Sequence, residues 1–141
     1  MKRILVFGAV LALLGLGSSA AQRLRAGEQA IFLKSGDKVI GRIADVVPTQ
    51  LVLQLEDGTG IPFRDLWMIN FVGEEWNFPS EQNVLESNDH YVFMKSGDIS
   101  SGQISGLSKD KRAFLFESGE IFPIAQCRRI YFSKTVPRNL R

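Results

Sequence analysis

The strongest constraint on this chain is that it contains itself twice. Sliding the sequence along itself gives one clear register, at an offset of 61 residues. Ala30-Ile31-Phe32-Leu33-Lys34-Ser35-Gly36-Asp37 falls on Tyr91-Val92-Phe93-Met94-Lys95-Ser96-Gly97-Asp98. The register continues without a gap through Gly41 on Gly102, Ile43 on Ile104, Glu56 on Glu117, Gly58 on Gly119, Pro62 on Pro123, Ile69 on Ile130 and Phe71 on Phe132. Residues 30–71 against 91–132 share 12 identities in 42 positions, and most other positions exchange one apolar type for another. Whatever the chain folds into, one small unit is used twice.

Each unit reads as five short strands and tight turns. In the first, the strands are expected at 30–34, 38–46, 51–55, 60–64 and 68–71; in the second, at 91–95, 99–107, 112–117, 120–124 and 129–132. Lys34-Ser35-Gly36-Asp37 supplies a turn with glycine where a positive φ is needed. Gly41, inside the long second strand, marks a bulge or bend. Leu51, Leu53 and Leu55 alternate with Val52 and Gln54, the period of a half-buried strand. Pro62 belongs at an edge or an unpaired position, because it has no N–H to give a ladder. Asp65-Leu66-Trp67 reads as a brief connection, one 3₁₀ turn at most. No segment after the first twenty residues carries a helical period of more than two turns.

The pattern hydrophobic-Lys-Ser-Gly-Asp-x-x-x-Gly-x-Ile, at 33–43 and 94–104, resembles the first half of an Sm-like or SH3-like small barrel, a type that occurs in exported bacterial proteins of unassigned role. The resemblance implies an all-β fold of two tandem five-stranded antiparallel small barrels. It does not imply RNA binding. The Sm second motif ends in an Arg-Gly pair, whereas the matching stretches here are Phe63-Arg64-Asp65-Leu66 and Ile124-Ala125-Gln126-Cys127.

The N-terminus reads as an address. Met1-Lys2-Arg3 is a short basic start, Ile4 to Leu16 is apolar apart from two glycines, and Gly17-Ser18-Ser19-Ala20-Ala21 is small and polar before Gln22. These are the three parts of a secretory signal peptide, cleaved after Ala20 or Ala21, and the apolar run is shorter than a membrane span of about 20 residues. The expectation is a soluble periplasmic or secreted chain that meets the membrane only through its transient signal. Losing Lys2 and Arg3 reduces the bases from 17 to 17 − 2 = 15, against 15 acids. A formally neutral body has no electrostatic footprint for nucleic acid.

The expected organisation is a signal at 1–21, a first barrel at 22–72, an acidic linker at 73–89, a second barrel at 90–133 and a basic flexible tail at 134–141. Trp76 and Phe78 either staple the linker to a barrel or face a ligand. With Trp67, Tyr131 and the basic doublet Arg128-Arg129, they form the candidate ligand or partner surface. Both faces of the first strands are apolar (Ile31 and Leu33 on one, Ala30 and Phe32 on the other, repeated at 91–94), so the second face needs a cover. Docking of the two repeats on each other is the expected solution.

Chemistry is scarce. One cysteine, Cys127, excludes an internal disulfide and a Cys-built zinc site, and its counterpart Leu66 marks it as a core thiol. One histidine, His90, excludes His-pair metal motifs. Asp37 and Asp98 follow Ser-Gly in turns, the reverse of the Asp-Thr/Ser-Gly order an aspartic-protease pair needs. No phosphate loop, dinucleotide turn or EF-hand loop is present. The expectation is a non-catalytic binding or scaffold module of the periplasm or envelope. It uses no cofactor or metal and acts through protein contacts with a protein partner or another envelope component. The alternative is an SH3-like binder of cell-wall glycan or peptide with Trp67, Trp76, Phe78 and Tyr131 as platforms.

Overall fold

The computed structural model describes residues 24–72 and 81–140. The expected signal peptide, Trp76, Phe78 and the rest of 73–80 lie outside these residues.

Twelve strands follow in order: β1 (Gln29–Leu33), β2 (Lys38–Gly41), β3 (Ile43–Val47), β4 (Val52–Leu55), β5 (Gly60–Pro62), β6 (Leu66–Asn70), β7 (His90–Met94), β8 (Ile99–Gly102), β9 (Ile104–Leu107), β10 (Ala113–Phe116), β11 (Ile121–Pro123) and β12 (Cys127–Tyr131). A 3₁₀ turn leads into β6 at Phe63–Asp65 and into β12 at Ile124–Gln126. Every strand of the first half begins 61 residues before its counterpart in the second. The glycines of the Lys-Ser-Gly-Asp turns, Gly36 and Gly97, have φ of +96° and +101°, a region closed to most side chains.

The strands do not make two barrels. They form three open antiparallel sheets: six strands in the order β2-β1-β6-β12-β7-β8, and two three-stranded sheets, β3-β4-β5 and β9-β10-β11. The expected tandem of five-stranded Sm- or SH3-like barrels is therefore incorrect, and two features cause the difference. First, the long second strand of each repeat breaks, at Arg42 and at Gln103, and its two pieces enter different sheets. Glycine precedes each break because a Cβ would lie 2.9 Å from Leu55 Cδ1 at Gly41 and 2.7 Å from Phe116 Cδ2 at Gly102. Second, the last strands of the repeats pair with each other: Asn70 with Arg129, Ile69 with Ile130, Met68 with Tyr131. The edge that would close each unit is spent on joining the two.

The inner face of the large sheet carries one row across four strands. Ile31 pairs with Ile69, Ile69 with Ile130 and Ile130 with Val92, and all four are fully buried. They share a core with Leu53 and Phe114 of the small sheets' central strands and with Cys127. Each buried aliphatic or aromatic side chain contributes about 1.5–3 kcal/mol. β3 and β9 lie beside each other, and Lys111 Nζ donates to Asp45 Oδ1 at 2.9 Å from one small sheet to the other. That ammonium holds the Asp45 carboxyl below the usual carboxylate range.

The outer face carries a second row, Phe32-Met68-Tyr131-Tyr91, in the same register. Trp67, Met68, Leu85, Tyr91, Phe93 and Tyr131 form a separate apolar cluster, with Phe32 and Val136 packed against it. The second-face hydrophobes are thus covered by Leu85 and Val136 of the same chain, and the repeats meet edge to edge. The expected tail also packs: Pro137 is buried, and Asn139 sits over Gly36.

Candidate functional site

A buried polar cluster lies on the outer face, where the repeats join. β12 alternates, so Ile130 points into the inner core while Arg129 and Tyr131 point outward. The Arg129 side chain is only 3% exposed, a position an arginine holds only when paired and hydrogen-bonded. Glu81 supplies the pairing. Arg129 Nε donates to Glu81 Oε1 at 2.8 Å and Nη2 to Oε2 at 2.7 Å, a bidentate fork. Nη1 donates to Asn70 Oδ1 at 3.3 Å, and the Tyr131 hydroxyl donates to Glu81 Oε1 at 2.7 Å. Beside it, Gln82 Nε2 donates to the Lys134 carbonyl. The cluster is a latch that ties residues 81–82 and the C-terminal segment onto the central sheet.

The proposed ligand surface is divided by this arrangement. Trp67 and Tyr131 are buried, their rings edge-to-face at 5.9 Å, with Phe32 6.1 Å from Trp67 and Phe93 5.4 Å from Tyr131. Arg129 is buried with them and Arg128 is exposed. Among the described residues, neither Trp67 nor Tyr131 offers its ring to solvent. Sequence reasoning missed Glu81 and Asn70. One signal was available: Arg129 stands where the first repeat has Met68, a charge in an apolar slot that demands a partner.

The two candidate reactive groups are occupied by folding. His90 Nδ1 accepts from the Ile104 N–H at 3.0 Å, and its ring packs between Phe63 and Phe132 at 5.6 and 4.9 Å. Gln29, its counterpart, makes the same bond: Oε1 accepts from the Ile43 N–H at 3.2 Å. Both side chains bridge the break in the second strand. Cys127 Sγ donates to the Pro123 carbonyl at 3.4 Å, and burial pushes its thiol up to about 12, so it is not a thiolate at neutral pH. Asp37 and Asp98 stay in their turns, each N–H 3.3 Å from the Oγ of Ser35 or Ser96. Among the described residues, no group of three or more His, Cys, Asp or Glu side chains could hold a metal ion, and no helix is long and apolar enough to cross a membrane.

The His90 environment gives a pH prediction. Burial lowers its pKa from 6.5 to about 4, outweighing the opposing pull of Asp89. Between those values the unfolded imidazole holds a proton that the folded one refuses. Stability is therefore complete above pH 6.5 and is lost as pH falls toward 4, at about 1.4 kcal/mol per unit. From pH 7 to pH 5 the wild type is expected to lose about 2 kcal/mol from this group in urea unfolding. His90→Gln, which installs the first repeat's own solution, is expected to keep the bond to Ile104 and abolish that loss. An equal loss in the variant would assign the pH dependence elsewhere. Comparison with protein-family models, with curated proteins and with solved structures finds no match to this chain.

Proposed function

We propose that this protein is an exported, non-catalytic binding or scaffold module of the periplasm or cell envelope, acting through protein–protein contacts. The observation that carries the reading is the commitment of its reactive groups to structure. His90 ties the strand break, Cys127 is a core thiol, and Arg129, Glu81 and Tyr131 satisfy one another. Among the described residues, most exposed positions lie in turns and outer strands, the material of a contact surface. The signal-like N-terminus supports export, and the formally neutral body supports a protein rather than a nucleic-acid partner.

The test is crosslinking in intact cells, with several crosslinker lengths, followed by pull-down of the mature protein. Discrete heteromeric adducts are expected. Recovery of monomer alone under every crosslinker would overturn the reading.

A further inference from the structure

The geometry points to the outer edge of β8 as a docking site for an extended strand of a protein partner, one with a basic N-terminal end followed by apolar residues. The inference rests on the protein-contact reading above and names the surface and the chemistry of the partner.

An outer strand presents unpaired backbone groups, and folded proteins normally blunt them with charge, proline or cover. The other outer strands here follow that rule. β5 and β11 carry Pro62 and Pro123, and β3 and β9 lie against each other. β2 starts with exposed Lys38 and is followed by exposed Arg42. β8 is Ile99-Ser100-Ser101-Gly102, with no charge and no proline, and Ile99 is 43% exposed. The repeat sharpens the contrast. The two cations flanking β2, Lys38 and Arg42, correspond to Ile99 and Gln103 at β8. The second repeat has lost both edge guards.

The same exchange leaves a charge mismatch. In the first repeat the matching position holds a cation near two acidic residues: the Arg42 carbonyl accepts from the Glu56 N–H at 2.8 Å, its guanidinium donates to the Ala26 carbonyl at 3.1 and 3.2 Å, and Glu28 precedes Gln29, whose partner is Gly41. In the second, Gln103 lies between the equivalent acids. Its carbonyl accepts from the Glu117 N–H at 2.8 Å, and its amide donates to Asp89 Oδ1 at 3.0 Å. Asp89 and Glu117 are exposed, and among the described residues neither is in an ion pair. An incoming antiparallel strand sets its N-terminal end beside Gln103, so a basic residue there meets both carboxylates, while a later apolar residue meets Ile99. A second copy of this chain fits poorly. Antiparallel self-pairing of β8 brings Asp98 of one copy beside Gln103 of the other, adding a third carboxylate to Asp89 and Glu117.

The probe is a fluorescein-labelled peptide, Lys-Arg-Val-Thr-Val-Thr-Ile, titrated into the mature protein, with Glu-Glu-Val-Thr-Val-Thr-Ile as control. Saturable anisotropy with the basic peptide only, and slowed hydrogen exchange at 99–102, are expected. The I99K/Q103R variant, carrying residues the first repeat already tolerates at these places, is expected to weaken binding about tenfold or more. D89N/E117Q leaves the strand untouched and is expected to remove the preference for the basic peptide. Undiminished binding by I99K/Q103R, or equal binding of the acidic peptide, would overturn the proposal. So would a dimer in sedimentation that I99K/Q103R abolishes, which would give the edge to a second copy. In cells, crosslinked partners that persist in I99K/Q103R overturn the edge proposal and leave the protein-contact reading standing. Wild-type protein recovered only as monomer overturns that reading itself.

Discussion

Glu81→Ala is expected to lower the unfolding free energy by about 3–5 kcal/mol, because it removes the bidentate carboxylate from an arginine held in the interior. The Arg129 and Glu81 side chains are 3% and 14% exposed, so water cannot replace the lost carboxylate without opening the sheet's outer face. The Tyr131 hydroxyl loses its bond to Glu81 in the same step. A buried pair is costly to break but not costly to replace, since desolvation offsets much of the attraction between its members. The double variant E81L/R129M, with the first repeat's methionine in the arginine's place, is therefore expected to recover most of the loss. Urea unfolding of the wild type and both variants measures this. Glu81→Ala within about 0.5 kcal/mol of wild type would show that the fork is not closed in solution.

The second large effect concerns the whole chain. Leu53 and its counterpart Phe114 are fully buried in the central strands of the two small sheets and share one core. Leu53→Ala is expected to cost about 2–5 kcal/mol and Phe114→Ala about 3–5 kcal/mol. Two independent barrels would show a two-step transition, with each substitution moving only its own step. One core beneath a shared six-stranded sheet requires a single transition that either substitution shifts whole. Tryptophan fluorescence and far-UV circular dichroism, followed through the same denaturant series, distinguish these outcomes. Non-coincident curves in either variant would mean that the halves unfold separately.

The strands were legible because their causes are local. Alternation at Leu53 and Leu55, the Lys-Ser-Gly-Asp turns and the matched glycines placed most elements within two or three residues of their observed bounds, although Leu51, read into the same alternation, lies exposed in the turn before β4 with φ of +51°. Pairing was not legible, because period-two patterning says which face a strand buries and nothing about which edge meets which. Gly41 signalled a bend but not that the strand would divide between sheets at Arg42. Ile69 and Ile130 read as equivalent core positions, and nothing in their neighbourhoods showed that they pair with each other. The latch was half legible: Arg129 and Tyr131 stood out, but the carboxylate they need lies 48 residues from Arg129, in a segment read only as acidic. Their burial also reversed the role expected of them, from surface platform to internal fastening.

The pairing of Ile69 with Ile130 has a kinetic consequence. The seam joins residues 61 positions apart, and β12 is the last strand of the chain. The closing contact therefore waits until β12 has been made, and a topology with such distant pairings folds slowly, on the scale of about milliseconds to seconds. A growing chain that has reached only β6 has no partner strand for that edge and no second half to complete the core over Ile31 and Ile69. On the export reading proposed above, late completion keeps the chain threadable until β12 has been made.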